Sequence, residues 1–256
     1  MNLGSGLEGK KVLITGASSG LGNHFARLCA SYGAHVAVAA RRRERLEALV
    51  RDIEDAGKGS AAAFALDVTD QASIEGCIGR VTDHFGGVDV LVNNAGVSGA
   101  GAALDQPKDT FDHVIDTNLR GVWKMAIEAA TVMRNQGVQG AIVNIASIVG
   151  IRPAAGLSAY AVSKAGVVHM TKALGLEWAR YGIRVNALAP GYFETEINEG
   201  YFDSEQGEKM LRRVPMRRVG HMVELNGPFL LLATGASAYM TGTTLTVDGG
   251  HLLSSL

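Results

Sequence analysis

The chain has 256 residues, 47% of them hydrophobic and 19% charged, with 33 glycines and a formal net charge of -1. This composition excludes a disordered or collagen-like chain, and the near-zero charge offers no whole-molecule field to gather nucleic acid or an anionic membrane. Two cysteines, Cys29 and Cys77, exclude a disulfide scaffold; with no run of about 18 uncharged apolar residues and no secretory h-region, a cytoplasmic protein is expected.

In chain order, strands are predicted at 11–15, 35–40, 61–66, 88–93, 140–146, 183–189 and 243–247. Helical periodicity fills the gaps at 20–32, 42–56, 70–85, 108–135, 158–181 and 221–233. In the first helix Leu21, Phe25, Leu28, Cys29 and Tyr32 form one apolar stripe. Strands separated by helices imply right-handed crossovers, hence an α/β, doubly wound parallel sheet with helices on both faces. Nearly all-apolar strands such as Val36 to Ala40 suit that double burial. No composition shift divides residues 1–256, so one domain is expected, and 190–215 is read as a functional loop.

The first strand runs into Gly16, Ser18, Ser19, Gly20, Leu21 and Gly22, where a helix starts. Glycines there let the backbone approach a pyrophosphate, which the free N–H groups and positive dipole end of a helix N-terminus hold. The second strand ends at Ala40-Arg41-Arg42, with no carboxylate where an NAD site places one for the ribose hydroxyls. Guanidinium in place of carboxylate favours NADP(H), with Arg41 as the phosphate clamp and Ser18 or Arg42 assisting; NAD(H) is the alternative.

Tyr160 and Lys164 stand one helical turn apart within 158–181. Free tyrosine titrates near 10, so work near neutrality needs its pKa lowered by about 3, or about 4 kcal/mol. A cation about 4 Å away at an effective dielectric of about 20 supplies about that much. Lys164 is therefore expected to lower the Tyr160 pKa.

Taken together, Gly16, Gly20 and Gly22 in TGASSGLG, Asp67, Asn93-Asn94-Ala95-Gly96, Asn118, Ser147, Tyr160 with Lys164, and Pro190-Gly191 resemble the short-chain dehydrogenase/reductase family over residues 8–250. The likeness is to its single-domain branch, and within it to 3-oxoacyl-(acyl-carrier-protein) reductases and ketone or alcohol dehydrogenases. It implies a seven-stranded Rossmann sheet and a catalytic tetrad of Asn118, Ser147, Tyr160 and Lys164. Tyr160 would exchange a proton with the carbonyl oxygen, Ser147 would hold that oxygen, Lys164 would bind the nicotinamide ribose, and Asn118 would anchor a relay water. Cofactor contacts are implied at Asp67, Val68, Asn94, Ala95, Gly96, Pro190, Gly191 and Thr195, with a structural role for Asn93-Asn94 equally open.

Loop 192–216 offers Tyr192, Phe193, Tyr201, Phe202, Met210, Leu211 and Met216, and Ser147 is flanked by Ile148, Val149 and Ile151. Ser147, Val149, Tyr160 and Tyr192 are thus expected to meet a small-molecule substrate, a medium-sized hydrophobic ketone, secondary alcohol or 3-oxoacyl thioester. Arg212, Arg213, Arg217 and Arg218 read as a surface paired with acids of the preceding loop. None of the seven histidines makes the i, i+4 pair of a helical zinc site, so no metal is expected. Nucleic-acid and membrane partners are not expected. The apolar helices 108–135 and 158–181, with the family resemblance, suggest a homotetramer or dimer. The non-enzymatic alternative, a nucleotide-binding regulatory protein, is disfavoured by an intact tetrad.

Overall fold

The computed structural model describes residues 2–194, 202 and 204–254. Its seven strands are β1 (Lys11–Thr15), β2 (His35–Ala40), β3 (Ser60–Ala65), β4 (Val90–Asn93), β5 (Ala141–Ile145), β6 (Arg184–Pro190) and β7 (Thr244–Val247). They form one parallel sheet in the order β3-β2-β1-β4-β5-β6-β7. Every predicted strand is present, with ends shifted by no more than two residues.

Alternation along the strands sends successive side chains to opposite faces. Val12, Ile14, Val36, Val38, Val90 and Val92 join one core, which Phe25 and Cys29 of α1 (Gly20–Ser31), Leu46 and Leu49 of α2 (Arg43–Ala56) and Phe229 of α8 (Asn226–Ala233) cover. Phe25 and Phe229 stack with ring centroids 4.2 Å apart. Leu13, Ala37, Leu91, Ile142 and Val185 face the other way, under α3 (Gln71–Phe85), α5 (Gly121–Asn135) and α6 (Ser158–Trp178). Apolar burial on both faces, worth about 25 cal/mol per Å², is the main term holding this sheet.

Beyond the helix over 221–233, which is a 3-10 turn (Met222–Leu225) followed by α8, and that over 158–181, whose end is a 3-10 turn (Ala179–Tyr181), two predicted elements differ more from the structure. The single helix read over 108–135 is α4 (Thr110–Ile115), a π-helical turn over Asp116–Arg120, and then α5. The stretch 190–215 contains α7 (Glu205–Leu211), where Ser204 caps the start by accepting from the Gly207 amide at 3.1 Å. No helix among the described residues is long and apolar enough to cross a membrane.

Because β1 lies between β2 and β4, the crossovers leaving β1 and β3 depart in opposite directions. Such a reversal opens a crevice at the carboxyl ends of the strands.

Candidate active site

A cleft of about 490 Å³ occupies that crevice, lined from the carboxyl ends of β1 to β6. Gly16, Ser18, Ser19, Gly20 and Leu21 form its floor after β1. Ser19, the N-cap of α1, makes no side-chain capping bond, which leaves first-turn amides for an anion. Gly20 has φ +56 and, among the described residues, no atom within 4 Å of where a Cβ would stand, so this glycine supplies both the turn and the open space. Gly22 is different. It is not on the cleft wall, and a Cβ there would lie 2.4 Å from the Asn94 Nδ2, so its smallness serves packing under the turn rather than direct cofactor contact.

The turn is braced from β4. Thr15 Oγ1 accepts from the amides of Asn94 and Ala95, both at 3.0 Å, and Asn94 Nδ2 donates to the carbonyls of Thr15 and Gly16 at 3.0 and 3.2 Å. Asn93 points into the sheet, where its Nδ2 donates to Asn144 Oδ1 at 3.0 Å. Both asparagine side chains are thus engaged structurally, although Asn94, Ala95 and Gly96 still line the cleft.

Arg41, Arg42, Asp67, Val68 and Thr69 line the far end. Arg42, the residue expected only to assist, donates to Ser18 Oγ through Nε and Nη2 at 3.2 and 2.9 Å and to Ser19 Oγ at 2.8 Å. Asp67 Oδ1 accepts from the Thr69 hydroxyl at 2.7 Å and the Thr69 amide at 2.9 Å. Those bonds, helped by nearby Arg41, hold the Asp67 carboxyl below the usual range. A glycine-lined helix start beside two guanidiniums fits the phosphates of a dinucleotide.

At the near end Ser147, Tyr160, Lys164, Pro190 and Gly191 meet. Ser147 follows β5 and caps the 3-10 turn Ile148–Gly150, accepting from the Val149 amide at 3.2 Å. Lys164, on α6, is 4% exposed and donates from Nζ to the Ile145 carbonyl at 2.7 Å. Nζ lies 5.6 Å from the centroid of the Tyr160 ring. Burial pushes the Lys164 ammonium down to about 8. The expected lowering at Tyr160 is not what this geometry gives: burial raises the phenol above its ordinary value, and the opposing influence is a hydrogen bond with Ser147 rather than the lysine. The Coulomb argument from spacing omitted desolvation, which here is the larger effect.

Asn118 sits in the π-helical turn and is fully buried. Its Oδ1 accepts from the Val97 amide at 2.8 Å, while Nδ2 donates to the Val97 carbonyl at 2.8 Å and to Ser163 Oγ at 3.1 Å. Ser163 Oγ in turn donates to the Tyr160 carbonyl at 2.7 Å. The Asn118 side chain is thus committed to the wall behind Tyr160 and Lys164. A π-bulge at a functional site is a recurrent arrangement.

On the outer side Ile148, Val149 and Ala161 form an apolar cluster with Leu157, Tyr160, Tyr192 and Leu252. Val149 and Tyr192 pack together with Tyr160, whereas Ile151 (47% exposed) and Met216 (65%) turn to solvent and Phe193 packs into the core. Leu157 and Leu252 were not anticipated, since neither adjoins a motif. Thr195 and Tyr201 lie outside the described residues. Arg218 pairs at 2.6 Å with Glu224, an acid that follows it in the chain.

Residues 16–251 match the family model described as Enoyl-(Acyl carrier protein) reductase. The chain is 39% identical over 247 residues to the 3-oxoacyl-[acyl-carrier-protein] reductase of Thermotoga maritima, covering 96% of this chain and 99% of that one. It superposes with TM-score 0.91 and 40% identity on a short-chain type dehydrogenase/reductase from Mycobacterium marinum, covering 96% and 97% of the two chains. A variant of actinorhodin polyketide ketoreductase, crystallised with NADPH, matches with TM-score 0.89 and 36% identity over 95% of this chain and 97% of that one.

Proposed function

The chain belongs to the short-chain dehydrogenase/reductase family, a family of NAD(P)-dependent oxidoreductases, and from that premise we propose that it reduces a medium-sized hydrophobic ketone or 3-oxoacyl thioester with NADPH, reversibly. The observation that carries this reading is one cleft that joins buried Ser147 and Lys164 and half-buried Tyr160 to a helix start flanked by Arg41 and Arg42. The names of the relatives agree with it: one is a reductase of 3-oxoacyl thioesters and another a ketoreductase with NADPH.

The nicotinamide nucleotide would supply or accept the hydride. Gly16, Ser18, Ser19, Gly20 and Leu21 would cradle its pyrophosphate, with Arg41 and Arg42 on the 2′-phosphate. Asp67, Val68, Ala95, Gly96, Pro190 and Gly191 would line its path, and the proposal extends to Thr195. At the reacting end the Ser147 hydroxyl donates a hydrogen bond to the substrate carbonyl oxygen and fixes it as charge develops. The Tyr160 phenol, protonated near neutrality at its ordinary pKa and pushed further up by burial, donates its proton to that oxygen during reduction and takes it back during oxidation. Lys164 holds the nicotinamide ribose hydroxyls, and the hydrogen bond with Ser147 stabilises the phenolate when the proton leaves. Asn118 positions both by locking the wall behind them. Val149 and Tyr192 bear on the apolar part of the substrate. Exposed Phe111 and Trp123, on α4 and α5, and Val162, on α6, agree with a homotetramer or dimer.

The test is to follow absorbance of NADPH and NADH separately against ketones of graded size and 3-oxoacyl thioesters. Oxidation of NADPH at least tenfold more efficient than that of NADH, with a preference for apolar ketones, is expected. Turnover with NADH alone would replace this reading by an NAD-dependent secondary-alcohol dehydrogenase.

A further inference from the structure

The C-terminal turn crosses about a hundred residues of sequence to meet the active site. Its 3-10 segment, His251–Leu253, follows Gly249 and Gly250, and its outward residue Leu253 is 87% exposed while His251 is 8% exposed. Leu252 packs into the cluster that contains Tyr160, Val149 and Tyr192, and the His251 ring lies 5.4 Å from the Tyr192 ring. Among the described residues the buried Nδ1 of the His251 imidazole has no hydrogen-bond partner. Asp248 shapes the turn from within, accepting from the Gly250 amide at 2.9 Å and the Leu252 amide at 2.8 Å.

The connection to the rest of the molecule is Arg152. Its Nη2 donates to the His251 carbonyl at 2.7 Å and to Ser254 Oγ at 3.3 Å, and its Nη1 donates to the carbonyls of Leu252 and Ser254 at 3.3 and 3.1 Å. Among the described residues no carboxylate pairs with it. One guanidinium thus gathers four oxygens of the turn, a task suited to its rigid fork of donors. Arg152 itself is tied to the 3-10 turn that starts at Ser147, its amide donating to the Ile148 carbonyl at 2.9 Å. The two walls of the apolar cluster are therefore fixed to each other through this side chain.

We propose that Arg152 is a positioning residue that sets substrate size preference, fastening residues 251–254 so that Leu252 completes the apolar wall beside Tyr160. The proposal rests on the ketone-reductase reading, and it concerns a residue that touches neither the reacting atoms nor the nucleotide cleft. Its substrate-side consequence is selective. A long apolar ketone that reaches Leu252 loses contact when the turn loosens, and one apolar group in a pocket is worth about 10-fold or more. A short ketone that occupies only the space around Ser147 and Tyr160 loses nothing.

The test uses the full-length chain with Arg152→Met, which keeps the aliphatic stem and removes the fork, and Leu252→Ala, which leaves the fork intact. Hydrogen exchange on Arg152→Met is expected to be at least 10-fold faster at the Leu252 and Ser254 amides, with β5 and α6 unchanged. In steady-state assays KM for a long-chain ketone should rise about 10-fold in both variants. The kcat and KM for a short ketone, and NADPH affinity, should stay within about twofold. Unchanged exchange at 252 and 254 would overturn the fastening. Equal losses for short and long ketones would overturn the size selection and leave a merely structural arginine. If wild-type protein reduced no ketone, the functional reading itself would fail, while the exchange result would still decide whether Arg152 holds the turn.

Discussion

The two ends of the cleft are built on different physical terms. At the far end Arg41, Arg42 and Asp67 are exposed or half-buried, and their charges are moderated by water and by hydroxyl partners such as Ser18, Ser19 and Thr69. At the near end Lys164 is 4% exposed, Asn118 is fully buried, and desolvation displaces both the Tyr160 phenol and the Lys164 ammonium. Screened charges produce graded preferences; desolvated ones produce near all-or-none behaviour. On this view coenzyme choice is adjustable and proton transfer is not.

The largest expected effect tests the buried end. Tyr160→Phe removes the proton donor while keeping the ring, and a positioned acid contributes roughly 10²–10⁴-fold. Turnover should fall by at least that lower bound with NADPH affinity within twofold, as read by steady-state rates and fluorescence titration. Activity above a tenth of wild type would show that the phenol is not the acid, and the contrast between the two ends would lose its basis.

Lys164 gives a second test, in which the sign matters. Its folded pKa is about 8, below the ordinary 10.5. Between those values the unfolded chain binds more protons than the folded one, so the lysine's contribution to stability rises as pH increases through that window. Each pKa unit is worth 1.36 kcal/mol, so the rise is on the order of 3 kcal/mol. Denaturant midpoints at pH 8 and at pH 10 should show this gain in wild type and lose most of it in Lys164→Met. Ketone reduction should decline as pH rises through about 8, where the ammonium is lost. A stability profile identical in both proteins would mean that the amine is hydrated and the near end less dry than its geometry implies.

The sheet was legible in the sequence because burial on both faces writes itself as continuous apolar runs, as in Val36 to Ala40. The residues that line the cleft could be picked out because the glycine turn and the Tyr160–Lys164 spacing are local. What escaped was either masked by continuity or remote. The apolar period of 108–135 runs unbroken through the π-helical turn at Asn118, and α7 is one short helix containing Gly207. The direction of the Tyr160 shift depends on burial, which three-dimensional packing decides. Arg152 and Leu252 are a hundred positions apart, and no pattern within either segment announces their contact.

The exposed end should respond by smaller steps. A hydrogen bond to a charged group contributes about 1.5–3 kcal/mol, so Arg41→Ala should weaken NADPH about 10–150-fold and NADH hardly at all. Arg42→Ala should fall in the same range, because the Arg42 guanidinium is the one held against Ser18 and Ser19. Equal losses for both coenzymes, measured by titration, would remove these arginines from phosphate recognition.

Asp67→Asn should have the smallest effect and the opposite direction. The Asp67 carboxyl, held below its ordinary pKa by Thr69, is ionised at neutral pH and stands near Arg41. Removing that charge leaves the hydrogen bonds from Thr69 largely replaceable by the amide oxygen, and it frees the guanidinium's field for a 2′-phosphate. An exposed charge pair is worth about 0–1 kcal/mol, so NADPH should bind up to about fivefold tighter and NADH should change less. The gain should shrink with added salt, since the Debye length falls from about 10 Å at 0.1 M to about 3 Å at 1 M. Titrations at those two ionic strengths separate the outcomes. A tenfold loss insensitive to salt would place Asp67 in a desolvated contact, and the far end would then have to be counted with the buried one.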